Sequence, residues 1–278
     1  MSITGGIKFF DKSKCLSKDG ATIAASTGSS GALFALDRNP LTVWRSSGSD
    51  DTTTETLTVS FPALTTFSRI FLVGHNFKEF NVQYNNSGFS HFSGVSGLDG
   101  SKANVSETAF ADSTAYYEVT PVTTDQIRIQ VVKTQIVDDE KFLNQIIVTD
   151  ELGTLVGYPE VSDIPVSRSA RVGKMLSGRM KVQKSLPTLG VTLNLNPYPA
   201  GLEDDLDLLF SLNDREEPFL TWLCGGRRGS SYFQYAIPGF RLGDVVPMQL
   251  VTDLSSRYKS NLYCGAIEAS FELYEVTT

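Results

Sequence analysis

From Glu55 to Phe61 the chain runs Glu-Thr-Leu-Thr-Val-Ser-Phe, alternating polar and apolar positions with the period of two that a half-buried strand shows. Short runs of the same kind recur at 67–74, 79–84, 115–120, 126–132 and 144–149. Each is rich in β-branched or aromatic residues and bounded by Gly, Pro, Asn or Asp, whose backbone preferences end a strand. Between them, residues 85–114 carry Asn, Ser and Gly with Phe89, Phe92 and Phe110 interspersed, a composition suited to long loops or a hairpin. Strands at this spacing predict an antiparallel sandwich over residues 1–150. Upstream, Asp37, Asn39 and Pro40 form a turn, and Thr42 leads from it into Trp44, a large apolar residue that needs a core.

A second unit follows. Residues 151–166 hold two prolines and two glycines and read as a linker. Residues 167–278 then form a second mostly-β unit. It opens on a basic stripe, Arg168, Arg171, Lys174, Arg179, Lys181 and Lys184, broken by Gly173 and Gly178. Residues 188–195 alternate as a strand. Residues 201–213 predict the one helix: Glu203, Asp204 and Asp205 sit in its first turn, where the macrodipole favours acids. Leu202, Leu206, Leu209 and Phe210 share one face of it. Strands return at 218–223, 231–237, 245–251 and 261–275. The predicted fold class is mostly β, a jelly-roll sandwich followed by a β-sandwich with one helix.

Charge narrows the function. The 278 residues carry a net charge of -7 and a pI near 4.9, with neither half basic, which argues against a nucleic-acid partner. No apolar run approaches the roughly 20 residues of a membrane helix, so membrane insertion is not expected. The first residues show no basic and apolar leader, and none is predicted. Cys15, Cys224 and Cys264 are an odd number without CxxC spacing, which predicts neither a disulfide framework nor a zinc site.

The chemistry-bearing residues point away from catalysis. His75 and His91, the only histidines, lie far in sequence from Cys224. The carboxylate runs at 50–51, 138–140 and 203–205 lack the apolar surroundings that raise a pKa for general-acid work. Gly225-Gly226 beside Arg227-Arg228 reads as a hairpin turn with exposed arginines. No enzyme is expected. Asp37, the carbonyl of Asn39 and Thr42 supply hard oxygens from one turn and could hold calcium; equally, Asp37 could cap its own turn.

On Ala35–Trp44, Thr56–Phe61, Ser68–Val73, Phe80–Tyr84 and Gln145–Val148, the segment from about residue 21 to 150 resembles the discoidin, or factor 5/8 type C, domains of the galactose-binding-like sandwiches. The resemblance implies a jelly roll that binds glycans, lipids or proteins through loops at one end. Many such domains complete a structural calcium site with an acidic residue where this chain has Gln145; the neutral amide weakens that site, so no cofactor beyond a structural calcium is implied. The paired terminal cysteines of extracellular animal members are also missing. More loosely, residues 161–278 are similar in layout to the sandwich-plus-helix ring proteins of long phage tails, including distal tail proteins. In those, domains close into rings, and here the stripe of Arg168, Arg171, Lys174 and Arg179 could meet Glu203, Asp204 and Asp205 of the next copy; equally, the two could be unrelated solvated faces.

Together these readings give a structural virion protein of a phage tail, made in the bacterial cytoplasm. It would be a homo-oligomeric ring that contacts other tail proteins and projects a sandwich toward a host-surface glycan. The alternative is a stand-alone carbohydrate-binding module. Phe89, His91, Phe92 and Tyr116 are the candidate ligand residues, with core packing the competing role for each phenylalanine.

Overall fold

The computed structural model describes residues 7–39, 42–48, 50–97, 100–155, 160–163, 166–167, 170–174, 180–184, 188–199, 207–208, 210–212, 214–215, 219–222, 246–250, 259–261 and 266–275. The chain is mostly β, as its patterning predicts. Strand β1 is Ile7–Phe10, and the sandwich strands follow. They are β2 (Thr22–Ala25), β3 (Trp44–Arg45), β4 (Glu55–His75), β5 (Phe77–Asn85), β6 (Phe89–His91), β7 (Val95–Gly97), β8 (Gly100–Lys102), β9 (Ser106–Glu107), β10 (Thr114–Thr134) and β11 (Phe142–Thr149). Beyond them come β12 (Glu151–Leu155), β13 (Glu160–Asp163), β14 (Val166–Ser167), β15 (Ala170–Lys174), β16 (Met180–Lys184), β17 (Thr188–Pro199), β18 (Phe219–Trp222), β19 (Val246–Leu250), β20 (Lys259–Asn261) and β21 (Ala266–Glu275).

Two long strands build the sandwich by serving both of its faces. β4 and β10 pair along their length, but the register shifts between Glu118 and Val122 and again between Thr124 and Gln126. The exposed Pro62–Leu64 segment lies opposite the second shift. Such irregularities bend a strand, and both halves of each strand reach one core. Leu57, Val59, Phe61, Phe67, Ile70 and Leu72 from β4 meet Ala115, Tyr117, Val119, Ile127, Ile129 and Val131 from β10 there, with Trp44 beside them. One sheet is therefore 67–75, 114–120 and β11; the other is 55–61, 126–134, β5, β2 and β6.

The two sheets differ on their outer sides. The 55–61 half follows the predicted alternation, with Thr56, Thr58 and Ser60 half-buried on the outside. In the 67–75 half both sides are buried. Ile70 and Leu72 face the sandwich core, whereas Phe71 and Val73 join Phe10, Tyr116, Ile147, Leu220 and Trp222 in a second cluster. That cluster is aromatic and edge-packed: Phe71 meets Trp222 at 5.6 Å and 88°, and Phe10 at 5.1 Å and 85°. Fully burying each such side chain contributes about 1.5–3 kcal/mol.

This second cluster joins the sandwich to the rest of the chain. A second sheet has the order β12-β1-β18-β19-β21-β17-β13. Residues 7–10, counted with the first unit on sequence grounds, pair instead with β12 on one side and β18 on the other. Residues 151–155, read as part of a linker, form the strand beside them. An ion network rims the junction: Glu151 accepts from Arg69 at 2.8 Å and Lys8 at 3.4 Å, while Arg69 also reaches Glu118 at 3.1 Å. On the far side of β1 and β18, Phe9 packs edge-on against Phe219.

Part of the expected 201–213 helix is described, with helical residues at Asp207–Leu208 and Phe210–Leu212. Among its described residues Leu212 is the buried one, while Phe210 is 42% exposed, so Phe210 does not belong to the inward face as expected. Gly153 explains the choice: a Cβ there would come within 2.7 Å of both Leu208 methyl carbons. The missing side chain lets Leu208 settle on β12, and Leu212 follows one turn later.

Candidate functional site

The sheet formed by β6, β5, β10, β4 and β2 turns its outer side away from the core, and two predicted ligand residues meet there. A tight connection places them. Ser87 and Gly88 take positive φ (55° and 129°), and Asn85 Oδ1 accepts from the Gly88 N–H at 3.2 Å, closing the β5–β6 hairpin. The register then sets Phe89 against Asn85 and His91 against Gln83. On the other side of β5, Arg128 lies against Gln83, and Thr58 lies against Arg128. Strand spacing is about 4.8 Å, so His91, Gln83, Arg128 and Thr58 form one row across four strands.

Hydrogen bonding fixes this row in one arrangement. Arg128 donates from Nε (3.1 Å) and Nη2 (2.6 Å) to Gln83 Oε1, and its guanidinium lies 4.0 Å over the Phe89 ring. Arginine only donates, so Gln83 must turn its oxygen toward it and its amide nitrogen toward His91. Gln83 Nε2 and His91 Nε2 are 3.3 Å apart. The neutral imidazole therefore accepts at Nε2 and carries its proton on Nδ1. Gln83 is buried, Phe89 and Arg128 are half-buried, and His91 is exposed. The result is a preorganised aromatic and polar surface.

Sequence reasoning named Phe89 and His91 but missed Arg128 and Gln83, which look like ordinary outward positions of strands. The register across three strands reveals them. Phe92 and Tyr116 are corrections, each only 1% exposed. Phe92 packs on Tyr84 (5.0 Å) and Phe67 (6.0 Å) in the sandwich core. Tyr116 lies against Phe71 (4.7 Å) and Trp222 (4.8 Å) in the second cluster, where burial pushes its hydroxyl pKa up.

The Asp37 turn is closed on itself. Asp37 accepts from the Asn39 N–H (2.8 Å) and from Thr42 Oγ1 (2.8 Å to Oδ2), and Thr42 Oγ1 also reaches the Asn39 carbonyl at 2.9 Å. The Thr42 carbonyl accepts from Asn144 Nδ2 at 3.0 Å. The oxygens proposed for calcium are thus engaged by donors within the fold, and Gln145 is buried on β11. Among the described residues no group of three or more His, Cys, Asp or Glu could hold a metal ion.

Of the expected subunit contact, Arg168, Arg179, Glu203, Asp204 and Asp205 lie outside the described residues. Arg171 and Lys174 belong to β15, which pairs only with β16 as a separate two-stranded ribbon among the described residues. Cys224, Cys264 and the 225–228 turn also lie outside the described residues, and Cys15 is a buried free thiol whose pKa burial raises.

The shifted titratable groups serve structure. Burial lowers His75 to about 3, and hydrogen bonds from Thr52 and Thr53 hold Asp50 down at about 2. Lys141 is fully buried and donates to the carbonyls of Asp50 (2.7 Å) and Thr53 (2.9 Å).

No family profile and no curated protein matches the chain. Solved structures similar to it include a selenomethionine-labelled mutant of chitosan-binding module 1 from a Paenibacillus sp. IK-5 chitosanase/glucanase. That pair is 17% identical, with a TM-score of 0.40, over 50% of this chain and 98% of the module. The family 32 carbohydrate-binding module of C. perfringens NanJ, solved with galactose, is 16% identical (TM-score 0.38) over 51% of this chain and 98% of its own. A pectin-binding module is 18% identical (TM-score 0.34) over 46% and 88%.

Proposed function

We propose that this chain is a non-catalytic recognition protein whose sandwich binds a glycan on the β6–β5–β10 face, and whose second half ties that module to a larger assembly. One observation carries the reading: Arg128, Gln83 and His91 are locked into a single hydrogen-bonded row on an outer sheet face, with the Phe89 ring stacked against Arg128. A sugar offers hydroxyls to polar groups and C–H faces to a ring, and a surface already ordered loses little entropy on binding it. The tethering half of the proposal draws on the shared cluster of Phe10, Phe71, Tyr116, Ile147, Leu220 and Trp222, through which load on the sandwich passes to the second sheet.

Native electrophoresis in gels cast with a panel of polysaccharides tests the first part. At least one should retard the protein, and Phe89→Ala should abolish the retardation. No retardation by any polysaccharide, or retardation indifferent to Phe89→Ala, would refute the site. Light scattering at high protein concentration tests the assembly, which requires a species larger than one chain.

A further inference from the structure

The charges on this face specify what kind of glycan it suits. Its outward residues are neutral almost throughout: Thr22 and Ala24 on β2, Thr56, Thr58 and Ser60 on β4, Gln126 and Gln130 on β10. At the tip edge Glu79 and Lys133 neutralise each other at 2.5 Å, and at the opposite edge Asp125 accepts from Asn85 Nδ2 at 2.9 Å. Arg128 stands alone in the middle. Arg45, Arg69 and Arg215 each pair with a carboxylate, whereas Arg128 makes no ion pair among the described residues. Two of its donor nitrogens go to Gln83 Oε1, which leaves Nη1 without a partner among the described residues.

We propose that the ligand is an acidic polysaccharide, with a sugar carboxylate bonded to Arg128 and neighbouring hydroxyls reaching the Nδ1–H of His91. This rests on the glycan-binding reading above. Arg128 is held flat over Phe89 and fixed by Gln83, so its fork is oriented before ligand arrives. His91 lies two strand spacings away, about 10 Å, within one row. The recognition is a short-range contact. A chain of net charge -7 repels a polyanion at long range, and that repulsion is screened at 0.15 M salt, where the Debye length is about 8 Å against about 30 Å at 0.01 M. Binding should therefore persist as salt rises to 0.15 M, unlike capture by a diffuse basic patch.

The test is affinity electrophoresis of the whole protein in gels containing alginate, neutral dextran or dextran sulfate, with wild type, Arg128→Gln, Arg128→Lys, His91→Ala and Phe89→Ala. Alginate should retard the wild type at 0.15 M salt, and Arg128→Gln should weaken the interaction ~10- to 100-fold. Arg128→Lys should not restore it, because an ammonium lacks the planar fork. His91 is exposed, so His91→Ala keeps the fold and should weaken binding several-fold. Equal retention on dextran sulfate, or alginate binding indifferent to Arg128→Gln and His91→Ala, overturns the proposal. Retention by dextran but not alginate, lost in Phe89→Ala, overturns the acidic ligand and leaves the glycan site standing. No retention by any polysaccharide overturns both.

Discussion

Lowering the pH from 7 to 5 should destabilise the folded protein by about 2 kcal/mol through His75. The ring is 1% exposed and packs among Phe77, Phe80 and Phe110 at centroid distances of 4.9, 5.6 and 5.4 Å. Its Nδ1 accepts the Phe77 N–H at 3.0 Å, so the neutral ring carries its proton on Nε2. Burial takes its pKa from the ordinary 6.5 down to about 3. The unfolded chain thus gains a proton near pH 6.5, and the folded protein refuses it until near pH 3. The stability associated with the neutral ring is complete above pH 6.5 and is lost progressively as pH falls through that window. Urea unfolding at pH 7, 6 and 5 measures the loss. His75→Asn is the control, because an Asn carbonyl can accept from the N–H two residues on and has no proton to gain. The variant should be less stable at every pH, having lost its ring contacts, yet its drop between pH 7 and 5 should be smaller by about 2 kcal/mol. Asp50, Asp51 and Glu151 have lowered pKa values and titrate below this range. An equal drop in both proteins, or none in the wild type, would refute the assignment.

Trp222→Ala should cost about 3–5 kcal/mol in denaturant melts, because it opens a cavity where the two sheets meet; a loss below about 1 kcal/mol would mean the sheets do not share a core. Lys141→Met should cost at least ~2 kcal/mol by leaving the Asp50 and Thr53 carbonyls without their donor, which the same melts would detect. Gly28→Ala should destabilise by well over ~1 kcal/mol. Gly28 has φ +62°, and an added Cβ would sit 1.9 Å from the Arg45 carbonyl oxygen, so β3 must shift; an unchanged melting temperature would contradict this. Millimolar calcium should leave the melting temperature where it is, because the Asp37 and Thr42 oxygens are already hydrogen-bonded; a rise would show that the turn reopens for the ion.

The sandwich was legible where one side of a strand is wet. Thr56, Thr58 and Ser60 alternate with Leu57, Val59 and Phe61, and the structure buries the latter. Legibility failed where both sides are dry. Ile70-Phe-Leu-Val73 is a continuous apolar run, and nothing local says that alternate residues serve different cores. Tyr116 was misread for the same reason: its partner Trp222 is more than a hundred residues away, and no periodicity records that pairing. The ligand row was half legible. Phe89 and His91 stood out as an aromatic and an imidazole in a polar loop region, whereas Arg128 and Gln83 acquire meaning only through register.

β1 has a temporal consequence as well. On the ribosome, β18 emerges some two hundred residues after its neighbour Phe10. Until then the hydrophobic back of the nascent sandwich, Phe71, Tyr116 and Ile147, has no Leu220 or Trp222 to cover it. Chains stalled before β18 should therefore be sticky, and the arrival of β18 is what covers that surface.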